Sequence, residues 1–517
     1  MRSDRHHFQR LMSMLGSVAL TLVLATHAQA NDEVRDPRIT VEATTFVGRQ
    51  DANGVASFQG IPYAQAPVGD RRWHRPQPWQ FSPGDRDASA FAPACMQSGS
   101  GLAWYHGMMR RVGINPAAMT GPSYSEDCLY LNIWTDLAAE GPRPVLLFIH
   151  GGSNTGGWSY EPNYHGQSLV KKGLIVVTVA YRLGVFGWLS HPDMDLENPA
   201  LHDLAMSLDW VYQHIAQFGG DPTRITIAGE SSGATNALHL AISPLSQGRV
   251  SGVIHQSGGW PLDGTPSPAE ASQRGTLLAE ALLGADATLT QLRQVPAEAL
   301  MKASQSVYAN FQFDPIEDPE SLPDTLKTLA IEKRMPPLTM IIGSNVHESL
   351  MYVEPHDQIE NYLTAQFSTK KRQRMVDYLK PFKGDKEKIN QLSTATDFLC
   401  PSLRLASLVH QSGGRAWVYR FDRIRPGFEA IGAYHGAELP YVFDRHDAWL
   451  PSAPADTALT ASIVDYWSAF IAEQVPSSAT GPAWPAWSDQ QPTMIFDQAA
   501  AVSAHPDRAL CNLLASH

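Results

Sequence analysis

The chain is expected to fold as an α/β protein: a large, mostly parallel central sheet with helices on both faces and helical insertions forming a cap. Three observations carry this. Short β-rich runs bounded by Gly, Pro or Asn alternate with stretches of helical periodicity. A β-branched strand at 225–227 runs straight into Gly229-Glu230-Ser231-Ser232-Gly233 and a small-residue helical segment, the strand–turn–helix of a doubly covered sheet. No internal repeat or long low-complexity linker interrupts the chain, so 31–517 reads as a single domain.

The elements follow in order. Residues 1–30 read as a cleavable signal peptide. Arg2, Arg5 and Arg10 make a basic start, 11–25 is mostly apolar but too short to span a bilayer, and Ala28-Gln29-Ala30 is an A-x-A cleavage signal. Strands are expected at 129–135, 145–150 and 175–181. A helix over 203–218 places Leu204, Leu208, Val211 and Ile215 on one face. After the strand at 225–227 come a helix over 234–242 and strands at 253–256, 339–343 and 417–421. Helices at 269–283 and 360–379 fall between strands, where a cap would grow.

Composition narrows the function classes. With 43% hydrophobic and 17% charged residues, the chain is globular with a sizeable core and not disordered. The formal charge is −12, and −14 without the signal segment's three arginines and one aspartate, which disfavours nucleic acid or anionic membranes as partners. Export permits disulfides, and Cys95, Cys128, Cys400 and Cys511 allow three pairings. No two cysteines stand at metal-binding spacing, so no metal is expected; no organic cofactor is expected either, because the chemistry read below needs only proton shuttling and oxyanion binding.

The chemistry centres on Ser231. In a G-x-S-x-G between strand and helix, glycines two residues to either side relieve a turn tight enough to strain the serine. Its Oγ would then project above the sheet beside a helix N-terminus. A serine hydroxyl needs a base oriented by a carboxylate, in the chain order Ser, acid, His. His435, in a short Gly-containing loop after the strand at 417–421, is the candidate base. Glu348, Asp377 and Asp397 are the candidate acids, and spacing does not choose among them. His150-Gly151-Gly152-Ser153 ends a buried strand with backbone N–H groups able to turn inward, and the N–H of Ser232 would complete an oxyanion hole.

Five segments in order resemble the type-B carboxylesterase (cholinesterase and lipase) family of α/β-hydrolases, over 40–497. They are Phe58-Gln59-Gly60-Ile61-Pro62-Tyr63-Ala64, Glu126-Asp127-Cys128-Leu129-Tyr130-Leu131-Asn132, the stretch 218–233, G-x-N-x-x-E at 343–348 and A-Y-H-G-x-E at 433–438. The resemblance implies the α/β-hydrolase fold and a secreted or periplasmic serine esterase acting on small-molecule esters. It makes Glu348 the acid and His435 the base, with Gly152, Ser153 and Ser232 as oxyanion donors. By the same likeness Glu230 and Ser257 support the histidine, Cys95 pairs with Cys128, and Cys400 with Cys511. Arg72 with Glu126, and Arg182 with Asp203, are its ion pairs. Phe311 and Phe313, with Trp260, are the candidate substrate-pocket residues.

The chain departs from the family at Ser153 and Ser232, where glycine and alanine are common, and Ala118 stands where cholinesterases carry a choline-stacking tryptophan. Trp104 is the candidate substitute. The alternatives are a lipase or amide/carbamate hydrolase, separated by a rate jump above the micelle threshold, and a non-catalytic cholinesterase-like binding protein, separated by fluorophosphonate labelling. Arg110 and Arg111 favour an acidic ester if they reach the site, and are solvated surface if they do not. A monomer is the default expectation.

Overall fold

A computed structural model describes residues 36–515, apart from 260–265 and 448. The expected signal peptide and Trp260 lie outside the described residues.

Among the described residues the main sheet has eleven strands: β1 (Arg49–Gln50), β2 (Ala56–Pro62), β3 (Tyr130–Thr135), β4 (Arg143–Ile149), β5 (Ile175–Val179), β6 (Gly220–Glu230), β7 (Gly252–Gln256), β8 (Thr339–Asn345), β9 (Arg415–Phe421), β10 (Pro492–Phe496) and β11 (Ala500–Ala504). Their spatial order is β11-β10-β9-β8-β7-β6-β4-β5-β3-β2-β1. Pairing is parallel from β5 through β10 and antiparallel at both margins. The sheet is therefore mixed, with a parallel centre.

The reason lies in the strands' own residues. β4 and β5 are buried at every position, and alternate residues go to opposite faces. Val145, Leu147 and Ile149 join one apolar cluster, while Leu146 and Phe148 join the other. A strand apolar throughout can only sit between two covering layers.

The helix expected over 203–218 runs instead over α1 (Pro199–His214), and Ile215–Phe218 tightens into a 3-10 turn. Pro199 opens it, because a proline at the first helical position gives up an N–H that would be unbonded anyway. Leu201, Leu204, Leu208 and Val211 form its fully buried stripe. The helix expected over 360–379 is two, Ile359–Gln366 and Thr369–Tyr378. Phe367 and Ser368 between them are extended, and Ser368 occupies the N-cap position of the second.

The cysteines pair as Cys95–Cys128 and Cys400–Cys511. Arg182 forks onto Asp203, Nε to Oδ2 at 2.8 Å and an Nη to Oδ1 at 2.7 Å, both residues fully enclosed. Arg72 pairs with Glu126 in the same two-pronged way. Among the described residues no helix is long and apolar enough to cross a membrane.

Candidate active site

The chain passes from β4 to β5 on one side and returns to β6 on the other, so the sheet's direction of growth switches between β4 and β6. Gly229 pairs with Ile149, which sets the carboxyl ends of these strands side by side. Crevices at such switch points are where open α/β sheets bind ligands.

Ser231 stands there, between β6 and the helix α2 (Ser232–Ile242), with φ 55° and ψ −131°. The glycines around it are demanded by close backbone approach. A Cβ on Gly229 would stand 2.7 Å from Ala234 N, and one on Gly233 2.6 Å from His150 O. A Cβ on Gly151 would meet Ser231 Cβ at 3.0 Å. The elbow and the turn after β4 thus fit together only without side chains at these positions.

That turn carries three consecutive residues with positive φ: Gly152 at 106°, Ser153 at 55° and Asn154 at 57°. Gly152 O accepts from the N–H groups of Thr155 and Gly156, both at 3.0 Å. Among the described residues, none accepts a hydrogen bond from the backbone N–H of Gly152, Ser153 or Ser232. Gly152 and Ser153 line a cavity of about 410 Å³ together with Ser231, His435 and Glu230.

His435 lies between two carboxylates, of which Glu348 is hydrogen-bonded to it. Its Nδ1 meets Glu348 Oε2 at 2.6 Å, and its Nε2 lies 3.2 Å from Glu230 Oε1. Glu348 is fully buried, and its other oxygen accepts from Ser257 Oγ and from Asn345 N–H, each at 2.6 Å. Asp377 is an exposed partner of Lys380 and takes no part. Ser231 Oγ makes no hydrogen bond among the described residues, so Nε2 faces Glu230 and the serine hydroxyl stands free on the same wall.

Sequence reasoning gave no separate task to Glu438, also buried, which accepts from Gln256 Nε2 at 2.9 Å and Asn345 Nδ2 at 2.7 Å. A further buried acid, Glu161, lines the cavity and accepts from Tyr105 Oη at 2.6 Å. Three acids around one imidazole shape the protonation. Burial works against a charged His435, but Glu230 and Glu348, with Glu438 behind them, outweigh it and push the ring up to about 9. Burial works on Glu230 in the raising direction, against the pull of the charged ring, and raises Glu161 to about 7. Burial also raises Glu438.

The cavity's side wall is the helix Ser100–Arg111, inside the loop closed by Cys95–Cys128. It presents Ser100, Trp104, Tyr105 and Met108, and Trp104 Nε1 donates to Tyr352 Oη at 2.8 Å. Trp104 therefore lines the site, while Ala118 is exposed outside it. Phe398, in a π-helical turn (Ala395–Leu399), packs on the His435 ring at 5.2 Å.

Three sequence-derived expectations fall elsewhere. Phe313 is buried and stacked on Tyr308 at 4.6 Å, and Phe311 meets the same ring edge-on; neither lines the cavity. Their segment is fixed through its backbone, Phe313 O accepting from Asn154 Nδ2 at 2.6 Å, and the rings turn into the apolar cluster. Arg111 pairs with Glu354, and neither Arg110 nor Arg111 reaches the lining, so the solvated-surface reading holds for them.

A model of the Carboxylesterase family matches residues 35–513. The fumonisin B1 esterase of Sphingopyxis macrogoltabida is 31% identical over 93% of this chain and 89% of its own length. The para-nitrobenzyl esterase of Bacillus subtilis (strain 168) is 29% identical over 88% and 94%. Among solved structures, a PNB esterase superposes with a TM-score of 0.79 at 27% identity, covering 93% of this chain and all of its own. A thermophilic PNB esterase does so with 0.81 at the same identity and coverage.

Proposed function

The chain belongs to the carboxylesterase family and is a serine hydrolase of carboxylic esters, and on that premise we propose that Ser231, His435 and Glu348 are its catalytic triad. The observation that carries this is the clamp on His435. Glu348 fixes Nδ1 as the protonated nitrogen at 2.6 Å, which leaves Nε2 as the basic one, facing the cavity that Ser231 lines.

In the proposed reaction Ser231 Oγ attacks the ester carbonyl carbon while its proton passes to His435 Nε2. The carbonyl oxygen, now an anion, takes hydrogen bonds from the N–H groups of Gly152, Ser153 and Ser232. Their lack of protein acceptors supports that role, since unpaired donors aimed at developing charge need no reorganisation. Collapse of the tetrahedral adduct breaks the bond to the alcohol, which leaves with the proton from Nε2. Water then attacks the acyl-enzyme with the same histidine as base, and the acid departs. Glu230 Oε1 stands 3.2 Å from Nε2 without a hydrogen bond to it, so the nitrogen is free to take the serine proton.

Ser231→Ala is expected to lower p-nitrophenyl acetate turnover at least about a thousandfold and to abolish fluorophosphonate labelling. A variant within tenfold of the wild-type rate, or one still labelled, rules the assignment out. We also propose export with cleavage after Ala30, supported by the A-x-A signal and the two disulfides. The exported protein should give the intact mass of 31–517, and a full-length mass refutes it.

A further inference from the structure

An oxyanion hole made from two segments works only if both hold their N–H groups at one point. Here Gly152 and Ser153 come from the turn after β4, and Ser232 from the first turn of α2. The turn is in a conformation that side-chain-bearing residues avoid unless their surroundings over-determine it, since Ser153 and Asn154 both have φ near 55°. Asparagine tolerates that region better than most residues. What holds the turn there is Asn154, which is fully buried.

Every polar group of Asn154 is engaged. Its backbone N–H donates to Ser232 Oγ at 3.1 Å, and its carbonyl accepts from Gly184 N–H at 2.7 Å. Its Oδ1 accepts from Asn236 Nδ2 at 2.7 Å and from Tyr181 Oη at 3.4 Å, while its Nδ2 donates to Phe313 O at 2.6 Å. The bond to Ser232 ties the two halves of the hole directly: one residue supplies an oxyanion N–H through its backbone and braces the opposite donors through its hydroxyl. The bonds to Asn236 and Phe313 add α2 and the 311–314 segment to the same anchor.

We propose that Asn154 is a positioning residue for the oxyanion hole, locking the Gly152–Ser153 turn to the nucleophile's helix through Ser232 Oγ and Asn236. The proposal rests on the reading of Gly152, Ser153 and Ser232 as oxyanion donors. Nothing in it touches substrate in the ground state, so its loss weakens the transition state alone.

The test is steady-state kinetics with a p-nitrophenyl ester, on variants whose fold is verified by circular dichroism. Losing one oxyanion donor costs about a hundredfold or more, and a displaced turn should cost part of that. Asn154→Ala is therefore expected to lower kcat at least about fivefold with KM changed less than twofold. Ser232→Ala, which removes only the brace, should lower kcat at least about threefold with the same split. A trifluoromethyl ketone, which forms a tetrahedral adduct on the serine, should lose affinity in step with kcat. Smaller losses, or losses carried by KM, overturn the proposal; should Asn154→Ala fail to fold, Ser232→Ala decides. Because wild type and Ser231→Ala are measured alongside, failure of the esterase reading is seen separately from failure of this one.

Discussion

At His435 two carboxylates flank opposite edges of one ring, and their effects on catalysis differ in sign. Glu348 at Nδ1 orients the imidazole and stabilises its charged form during the reaction. Glu230, 3.2 Å from Nε2, stabilises the charged form before the reaction, when the base must be neutral. With the ring pushed up to about 9 by these acids, the acid limb of kcat/KM against pH is expected to lie high. Glu230→Gln removes the anion nearest Nε2, so the limb should move to lower pH by about one unit or more. A limb that stays in place, or moves up, shows that Glu230 does not set the base's protonation. How much of this was legible varies by residue. Ser231 and His435 could be read from local pattern, because a strained elbow and a loop glycine leave marks in sequence. Glu348 could be separated from Asp377 and Asp397 only by family likeness, because the Nδ1 contact joins residues 87 positions apart. Asn154 left a faint mark, an asparagine after Gly-Gly-Ser, but its five partners come from three distant segments.

The elbow itself shows what an element contributes beyond its residues. β6 turns so tightly into α2 that no side chain fits at Gly229, and α2 starts so close to the end of β4 that none fits at Gly233; the obstructing atoms are backbone. Gly233→Ala would set a Cβ 2.6 Å from His150 O. Backbone on a central strand cannot step aside, so the substitution is expected to destabilise by about 3 kcal/mol or more, beyond ordinary overpacking. Urea unfolding measures it, and a loss under 1 kcal/mol shows that the elbow and β4 separate more easily than their packing implies. The central strands were legible because burial on both faces leaves continuous apolar runs. The cavity-wall helix Ser100–Arg111 was not, since its 99–101 start is glycine-rich with no side-chain cap. Its place is fixed by the Cys95–Cys128 closure and by burial of Tyr105, Met108 and Met109. The π-helical turn bearing Phe398 has no period of its own, and it is set where Gly384–Thr394 runs on into Cys400–Gln411, next to the Cys400–Cys511 link.

The whole molecule stores an unusual proton balance. Burial lowers His150, His165, His202, His239, His255, His347, His446 and His505 to about 4. His239 on the nucleophile's helix and His255 on β7 lie fully buried, and among the described residues their ring nitrogens have no hydrogen-bond partner. A depressed histidine is neutral when folded and takes a proton when unfolded between pH 6.5 and 4, so acidification through that window favours unfolding. For His239 or His255 the difference between 6.5 and 4 corresponds to about 3 kcal/mol each. Buried acids act oppositely: Glu161 and Glu197 at about 7 and Asp314 at about 6, with Asp203, Asp422, Glu438 and Asp447 also raised by burial, keep protons in the fold that the unfolded chain releases. Their contribution is present below the ordinary carboxyl values of 3.8 and 4.5 and is lost as pH rises through each folded value. His435, raised to about 9, likewise contributes below 6.5 and ceases to by 9. His191 and His214 are lowered too, so from pH 6.5 down to 4.5 ten imidazoles oppose seven carboxyls, and the histidines prevail and stability falls. Above 6.5 the ten are neutral in both states, and only the raised acids and His435 respond, so stability falls again toward pH 9. Urea unfolding at pH 5, 7 and 9 should therefore give the highest midpoint at pH 7, with the steeper loss on the acid side. A midpoint at pH 5 equal to or above that at pH 7 would mean that the buried imidazoles are already protonated or solvated in the folded state.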